Sequence, residues 1–148
     1  MNEFFPVLRK DHKEVKEILT QLEETENKSK RDELFQKLKE ELVPHMKAEE
    51  ITFYQPLLAK KAARDVALEG LEEHHVSEMV FKELGNMPKD TDQWGAKLSV
   101  FKELLEHHIK EEQGETFEAA EKVLSKAQFQ SIKKQFLEEK QKFKGNLK

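Results

Sequence analysis

At 148 residues, the chain has the length of one domain and can bury a substantial core. Its formal net charge of -4 and its pI near 5.9 disfavour nucleic-acid binding, and no apolar run approaches the length of a membrane span. The absence of cysteine excludes disulfides and thiolate metal sites, and the first ten residues lack the apolar core of a signal peptide. We therefore expect a cytoplasmic protein that binds neither nucleic acid nor membrane.

The composition predicts an all-α fold, because charged residues make up 38% of the chain and glycine and proline are few. Apolar residues spaced by three and four predict helices over about 3–25, 30–54, 64–84, 92–124 and 125–145. Ser29 is the expected N-cap of the second helix, Pro44 is expected to kink it, and Gly114 to interrupt the fourth. The predicted architecture is one domain over 1–148, an antiparallel up-down four-helix bundle (about 3–124) with an additional C-terminal helix.

Histidine and glutamate interrupt the inward apolar stripes of three helices. His12 lies in the first stripe, His45 and Glu49 in the second, and His108 and Glu112 in the fourth. Since residues i and i+4 share a helix face, each His-x-x-x-Glu pair directs an imidazole and a carboxylate to one place. A single inward histidine is usually a hydrogen-bonded core residue, but burying carboxylates without a compensating charge is very costly. The pattern therefore predicts a metal site.

The pattern repeats along the chain after 62 or 63 residues. His12 and His74 are 62 positions apart, and His45 and His108 are 63 positions apart. The repeat adds His74 to the predicted ligands and pairs the first two helices with the next two as facing αα-hairpins. Adjacent helical residues point about 100° apart, so His107 is expected on the rim of the site.

Other acidic residues lie close to the predicted ligands. Glu50 and Glu111 are expected to be flanking charges, since each points about 100° away from the neighbouring ligand. Glu78 lies one turn after His74, where it is either an extra ligand, a group that supports a ligand, or a solvated residue. The rings of Phe53, Tyr54 and Phe117 are expected to pack in the core and to wall the metal pocket.

The donor set indicates which metals are suitable. Imidazole and carboxylate without sulfur suit iron, manganese, zinc or nickel rather than Cu(I) or calcium. Two carboxylates among four imidazoles can bridge two ions about 3.5–4 Å apart, with an open position on each for a small molecule. Iron is the expected metal and zinc the expected substitute. A second Glu-x-x-His motif of the ferritin type, a His-Glu-x-x-His motif and a glycine-rich phosphate loop are absent.

At these residues the sequence resembles the hemerythrin-like, or HHE cation-binding, domain family. The resemblance covers about residues 4–124 and implies an antiparallel four-helix bundle around a non-haem di-iron centre, bridged by carboxylates and by an oxo or hydroxo group. The matching segments are Asp11-His12-x-x-Val15, His45-Met46-Lys47-Ala48-Glu49-Glu50 with Tyr54, Glu73-His74-His75-Val76, and His108-Ile109-Lys110-Glu111-Glu112 with Phe117. The implied terminal ligands are His12, His45, His74 and His108, and the implied bridging ligands are Glu49 and Glu112.

One departure separates the chain from the oxygen-carrying hemerythrins that it resembles. Those proteins have a His-x-x-x-His pair on the third helix, whereas the residue four positions after His74 is Glu78. The resemblance therefore favours binding of, or reaction with, oxygen, nitric oxide or peroxide in sensing or stress response over oxygen transport. The alternatives are a redox enzyme that turns over peroxide or nitric oxide, an iron storage or donor protein, and a helical interaction module without metal.

Overall fold

Five helices make up the computed structural model, which describes residues 2–147 and contains no β-strand in that range. Two of the helices, α2 and α4, contain a five-residue π-helical segment between α-helical segments. The bounds are α1, Phe4–Glu23; α2, Lys28–Glu49, then π-helical Glu50–Tyr54, then Gln55–Leu58; α3, Lys61–Asn86; α4, Asp92–Glu111, then π-helical Glu112–Thr116, then Phe117–Val123; and α5, Lys126–Asn146. The first four helices form the predicted bundle, and α5 packs on α1 and α2.

Side-chain caps set where two of the helices begin. The prediction for Ser29 is wrong, because Asn27 is the N-cap of α2 and its side chain accepts a hydrogen bond from the Lys30 backbone N–H. Ser29 falls inside the first turn of the helix. At the start of α5, Ser125 and Gln128 form a capping box, in which each side chain accepts a hydrogen bond from the other's backbone N–H. This cap defines α5 as a helix separate from α4.

The buried histidines lie between two apolar clusters. Along each of the four bundle helices, one cluster ends and the other begins at the histidine. On α3 the inward residues around His74 are small, such as Gly70 and Ser77, while Val76 and Met79 are more than 40% exposed. Small inward residues explain why apolar periodicity did not define the face of this helix. No helix within residues 2–147 is long and apolar enough to cross a bilayer.

Candidate metal centre

The six predicted site residues converge in the middle of the bundle, and none is more than 5% exposed. They form two groups that share both glutamates, and within each group the potential ligand atoms lie within 4.8 Å of one another. We name these groups position A and position B. Position A is formed by His12, His45, Glu49 and Glu112, and position B by His74, His108, Glu49 and Glu112.

Glu49 extends across both positions. Its Oε2 lies 3.4 Å from His45 Nε2 in position A, and its Oε1 lies 3.0 Å from His74 Nε2 in position B. Neither oxygen has a hydrogen-bond partner among residues 2–147, and the side chain is fully buried. A buried carboxylate with both oxygens unsatisfied is unfavourable by several kcal/mol unless a cation lies beside it. The placement of one oxygen at each position is that of a bridging ligand.

Glu112 extends across the two positions in the same way. Its Oε1 lies 3.1 Å from His12 Nε2 and its Oε2 lies 3.5 Å from His108 Nε2. Glu112 Oε1 and His12 Nε2 also lack hydrogen-bond partners within the described part of the chain. At position B, the Nε2 atoms of His74 and His108 are 3.0 Å apart. These nitrogens and oxygens all point into the same two spaces, so the donor set fits two cations.

Each of the four imidazoles is also held from outside the centre through its Nδ1 atom. All four contacts are 2.8 Å long: His45 to Asp11, His74 to Glu50, His108 to Glu73, and His12 to Gln113. Such contacts fix the tautomer that donates from Nδ1 and turn the Nε2 lone pair inward, toward a metal. The expectation that Glu50 is only a flanking charge is therefore wrong. Glu50 points about 100° away from Glu49 around α2, and this direction brings it to His74 on α3.

The sequence contained a signal for these outer partners that the inward stripes alone did not reveal. Asp11 precedes His12 but supports His45 on the neighbouring helix, and Glu73 precedes His74 but supports His108. The acidic residue before the first histidine of each hairpin thus supports the other histidine of that hairpin. The acid-His dipeptide recurs in both halves of the repeat, so the repeat could have identified it.

Charges within the cluster compensate one another when no metal is bound. Burial lowers the pKa of His45, but Glu49 and Asp11 outweigh this effect and raise the pKa to about 10. Burial likewise lowers the pKa of His108, which Glu112 and Glu73 raise to about 10. Without metal these imidazoles therefore carry protons at neutral pH, and a cation that binds here must displace them.

Both of the glutamates that positions A and B share adjoin a π-helical segment. One segment begins directly after Glu49 and the other begins at Glu112. Because a π-helical turn contains an extra residue, the aromatic residues five positions later, Tyr54 and Phe117, turn inward. The sequence predicted only an interruption at Gly114. It did not predict π-helical geometry in either helix.

Tyr54 closes the side of the centre that faces the π-helical segments. Its hydroxyl donates a hydrogen bond to Glu112 Oε2, and the side chain is fully buried. Burial and the nearby Glu112 and Glu49 carboxylates raise the pKa of Tyr54 well above its ordinary value, so the hydroxyl keeps its proton. Gly70 on α3 provides the space, since a Cβ there would lie 2.9 Å from both Cζ and Oη of Tyr54.

A small cavity lies on the opposite side of the centre. Its volume, counted as the space open to the centre of a water-sized sphere, is about 10 Å³, which is room for about one water molecule. The four histidines line one side, and five apolar residues line the rest: Val15, Leu42, Met46, Leu105 and Ile109. A small neutral molecule suits this apolar lining better than a larger or charged one.

Three residues near the predicted ligands lie outside the centre. Glu78 is not in either group, because its Oε1 lies 2.6 Å from the Nζ of Lys47. His75 is exposed. His107 is exposed as expected for a rim residue, and its Nε2 lies 3.1 Å from Glu111 Oε1. Glu78, four positions after His74, is therefore held outside the centre by its ion pair with Lys47.

Comparisons with known proteins agree with this architecture. A crystal structure described as a hemerythrin HHE cation-binding domain-containing protein from Mycobacterium kansasii superposes with a TM-score of 0.84 at 23% identity, covering 99% of this chain and 89% of that one. That likeness shows the fold. No curated protein sequence matches the chain. The model of the hemerythrin HHE cation-binding domain matches residues 4–120, which contain all six residues of positions A and B. The chain therefore belongs to the hemerythrin HHE cation-binding domain family.

Proposed function

We propose that this domain binds two iron ions, one in each position, and that the centre binds or reacts with a small oxidant. The observation that supports this proposal most directly is the placement of Glu49 and Glu112, which each direct one oxygen to each position. The proposed terminal ligands are His12 and His45 in position A and His74 and His108 in position B. Iron is preferred because imidazole and carboxylate donors without sulfur suit it, and zinc is the expected substitute.

The cavity supports a small ligand. Apolar side chains such as Leu42 and Met46 line the space beside the histidines, and the space is too small for an organic substrate. When bound, iron would supply ligand-binding and redox chemistry there. The protein would orient the imidazoles through their Nδ1 contacts and keep one proton on Tyr54, hydrogen-bonded to Glu112. Oxygen, nitric oxide and peroxide are the candidates, and a role in sensing or stress response follows from them.

Metal analysis of anaerobically purified protein tests the centre itself. We expect about two iron atoms per chain, as for a carboxylate-bridged two-metal site. Glu49→Ala should lose both ions, because this carboxylate serves both positions. Glu78→Gln is the matched control, since Glu78 lies on a bundle helix near the centre but pairs with Lys47 at the surface. Iron-free protein that also fails to take up zinc or manganese would contradict the proposal.

Spectroscopy then separates the possible uses of the centre. Ultraviolet-visible and Mössbauer spectra during titration with oxygen, nitric oxide or peroxide should show a stable adduct if the protein is a sensor or binding protein. Continuous consumption of peroxide or nitric oxide that disappears in His45→Ala would instead indicate a redox enzyme. Rapid transfer of the iron to a chelator, without a spectral response to any of the three molecules, would indicate an iron store or donor.

A further inference from the structure

The two metal positions have identical inner ligands but different outer partners. The 63-residue repeat aligns Glu50 with Gln113, and each supports a histidine of the other hairpin. His74 in position B therefore has a carboxylate behind it, whereas His12 in position A has only a neutral amide. A carboxylate behind a histidine makes the imidazole a stronger metal ligand than an amide does.

The second histidine of each position shows the same asymmetry. Asp11, behind His45 in position A, has its charge compensated by Lys140, whose Nζ lies 2.8 Å from Asp11 Oδ1. Glu73, behind His108 in position B, contacts no lysine or arginine among residues 2–147. Within residues 2–147, two lysines, Lys140 and Lys144, pair with the acidic group behind His45. That group consists of Asp11, Glu14 and Glu41. Behind position B, Lys47 is the one lysine of the described residues that pairs with the acidic group, which consists of Glu50, Glu73, Glu78 and Glu111.

Position A is also the position that a surface groove reaches. The groove has a volume of about 620 Å³ and includes His12 and Gln113 in its lining. Three cationic side chains, Arg9, Lys13 and Lys16, line it with a single carboxylate, Glu17. This local positive charge weakens the attraction of a metal cation to position A, and the groove gives solvent a path to His12.

We propose that the two positions are inequivalent, so that position B binds its cation first and tightly while position A is the weaker, exchangeable one. This inference rests on the proposed two-metal centre. Gln113 is the positioning residue that contributes most to the difference, since it replaces a carboxylate in direct contact with a ligand. Changes in such outer partners alter metal affinity by about 10- to 100-fold. The two binding constants should therefore differ by at least about tenfold.

Zn²⁺ titration of the metal-free full-length protein, followed by ¹⁵N NMR of the histidine rings, tests the order of filling. Up to one equivalent of Zn²⁺, the Nε2 signals of His74 and His108 should shift while those of His12 and His45 stay in place. The second equivalent should shift the latter pair. Simultaneous shifts of all four signals, or the opposite order, would overturn the inference.

Calorimetric Zn²⁺ titration of variants tests the assigned cause. Gln113→Glu should tighten only the weaker step, by about 10- to 100-fold, and bring the two steps together. Gln21→Glu is the matched control, because Gln21 lines the same groove and the substitution adds the same charge without touching an imidazole. Its weaker step should tighten less than that of Gln113→Glu, because the added charge lies in the solvent-filled groove and does not contact an imidazole. A Gln113→Glu protein with two unchanged steps would refute the role of Gln113.

A reciprocal variant distinguishes an effect on one metal position from a general folding defect. Glu50→Gln should weaken the tighter step and leave the weaker one unchanged, because Glu50 contacts His74 in position B. Weakening of the other step would refute the assignment of positions. If neither the variants nor the unaltered protein bind two Zn²⁺ ions, the two-metal proposal itself fails. Two Zn²⁺ ions bound with equal affinity would refute only the inequivalence of the positions.

Discussion

Substituting Gly70 by alanine is expected to disturb the candidate metal centre. Gly70 lies on α3, which contributes one of the six residues of the centre, His74. The added Cβ would lie 2.9 Å from Cζ and Oη of Tyr54, a distance that requires one of the two groups to move. The Tyr54 ring is fully buried and its hydroxyl is bound to Glu112, so the ring has no free space to move into. The substitution should therefore displace α3, break the Tyr54–Glu112 hydrogen bond, or do both.

Two opposing contributions determine the change in the free energy of unfolding. Replacing glycine by alanine inside a helix stabilises by about 1 kcal/mol, and overpacking a well-packed core destabilises by about 1–3 kcal/mol. Gly114→Ala serves as the comparison for the first contribution, because Gly114 is exposed in the π-helical segment of α4 and an added Cβ would meet no atom within 4 Å. The free energy of unfolding of Gly70→Ala should therefore lie about 1–3 kcal/mol below that of Gly114→Ala.

Urea unfolding of both metal-free variants, followed by circular dichroism, measures this difference. Calorimetry should also show a lower melting temperature for Gly70→Ala than for Gly114→Ala, at about 2–4 °C for each kcal/mol in a chain of this length. A second measurement, the Zn²⁺ affinity, should fall only in Gly70→Ala, because Tyr54 contacts the Glu112 carboxylate. Equal stability and equal affinity of the two variants would refute the tight packing of Tyr54 against α3.

Three further changes have expected outcomes. Removing the metal should lower the melting temperature in calorimetry, because a cation that binds only the folded protein stabilises it, and an unchanged value would contradict a buried site. The metal-free protein should lose stability in urea titrations as pH rises from about 6.5 to about 10, because His45 and His108 have a pKa of about 10 when folded and about 6.5 when unfolded. Stability that does not depend on pH between these two values would refute the paired charges. Lys140→Met should destabilise the metal-free protein by about 1–3 kcal/mol yet strengthen the weaker Zn²⁺ step, because the Asp11 carboxylate loses its compensating cation. Lys144→Met is the control, because Lys144 forms a more exposed ion pair with Glu41. It should change both the stability of the metal-free protein and the affinity of the weaker Zn²⁺ step by less.

Helical periodicity was sufficient to predict five of the six inner residues of the centre. A side chain that belongs to an inward stripe must lie in the core of a bundle, and His12, His45 and His108 each occupied such a place. On α3 the stripe is indistinct because Gly70 and Ser77 face inward, so His74 was predicted from the repeat instead. The structure brings all four together.

The outer partners and the π-helical segments were beyond the reach of that periodicity. A stripe specifies which face of its own helix a residue occupies, but the contact from Glu50 to His74 depends on how two helices pack. Periodicity also assumes a constant number of residues per turn. Each π-helical segment adds one residue to a turn and so rotates the residues that follow. For this reason Tyr54, five residues after Glu49, was expected only as part of a wall and not as a hydrogen-bond donor to Glu112.

The same repeat that identifies the centre also limits where a difference between its positions can arise. Each hairpin contributes two histidines and one glutamate, and Glu78 is drawn to Lys47 instead of adding a ligand from α3. The inner ligands are therefore symmetric and cannot by themselves make one position tighter than the other. The outer partners break the symmetry most directly, because the repeat places Gln113 in one half and Glu50 in the other, and the cationic groove beside His12 adds to the difference. We therefore expect the outer carboxylate behind His74 to decide which of the two positions binds metal more tightly.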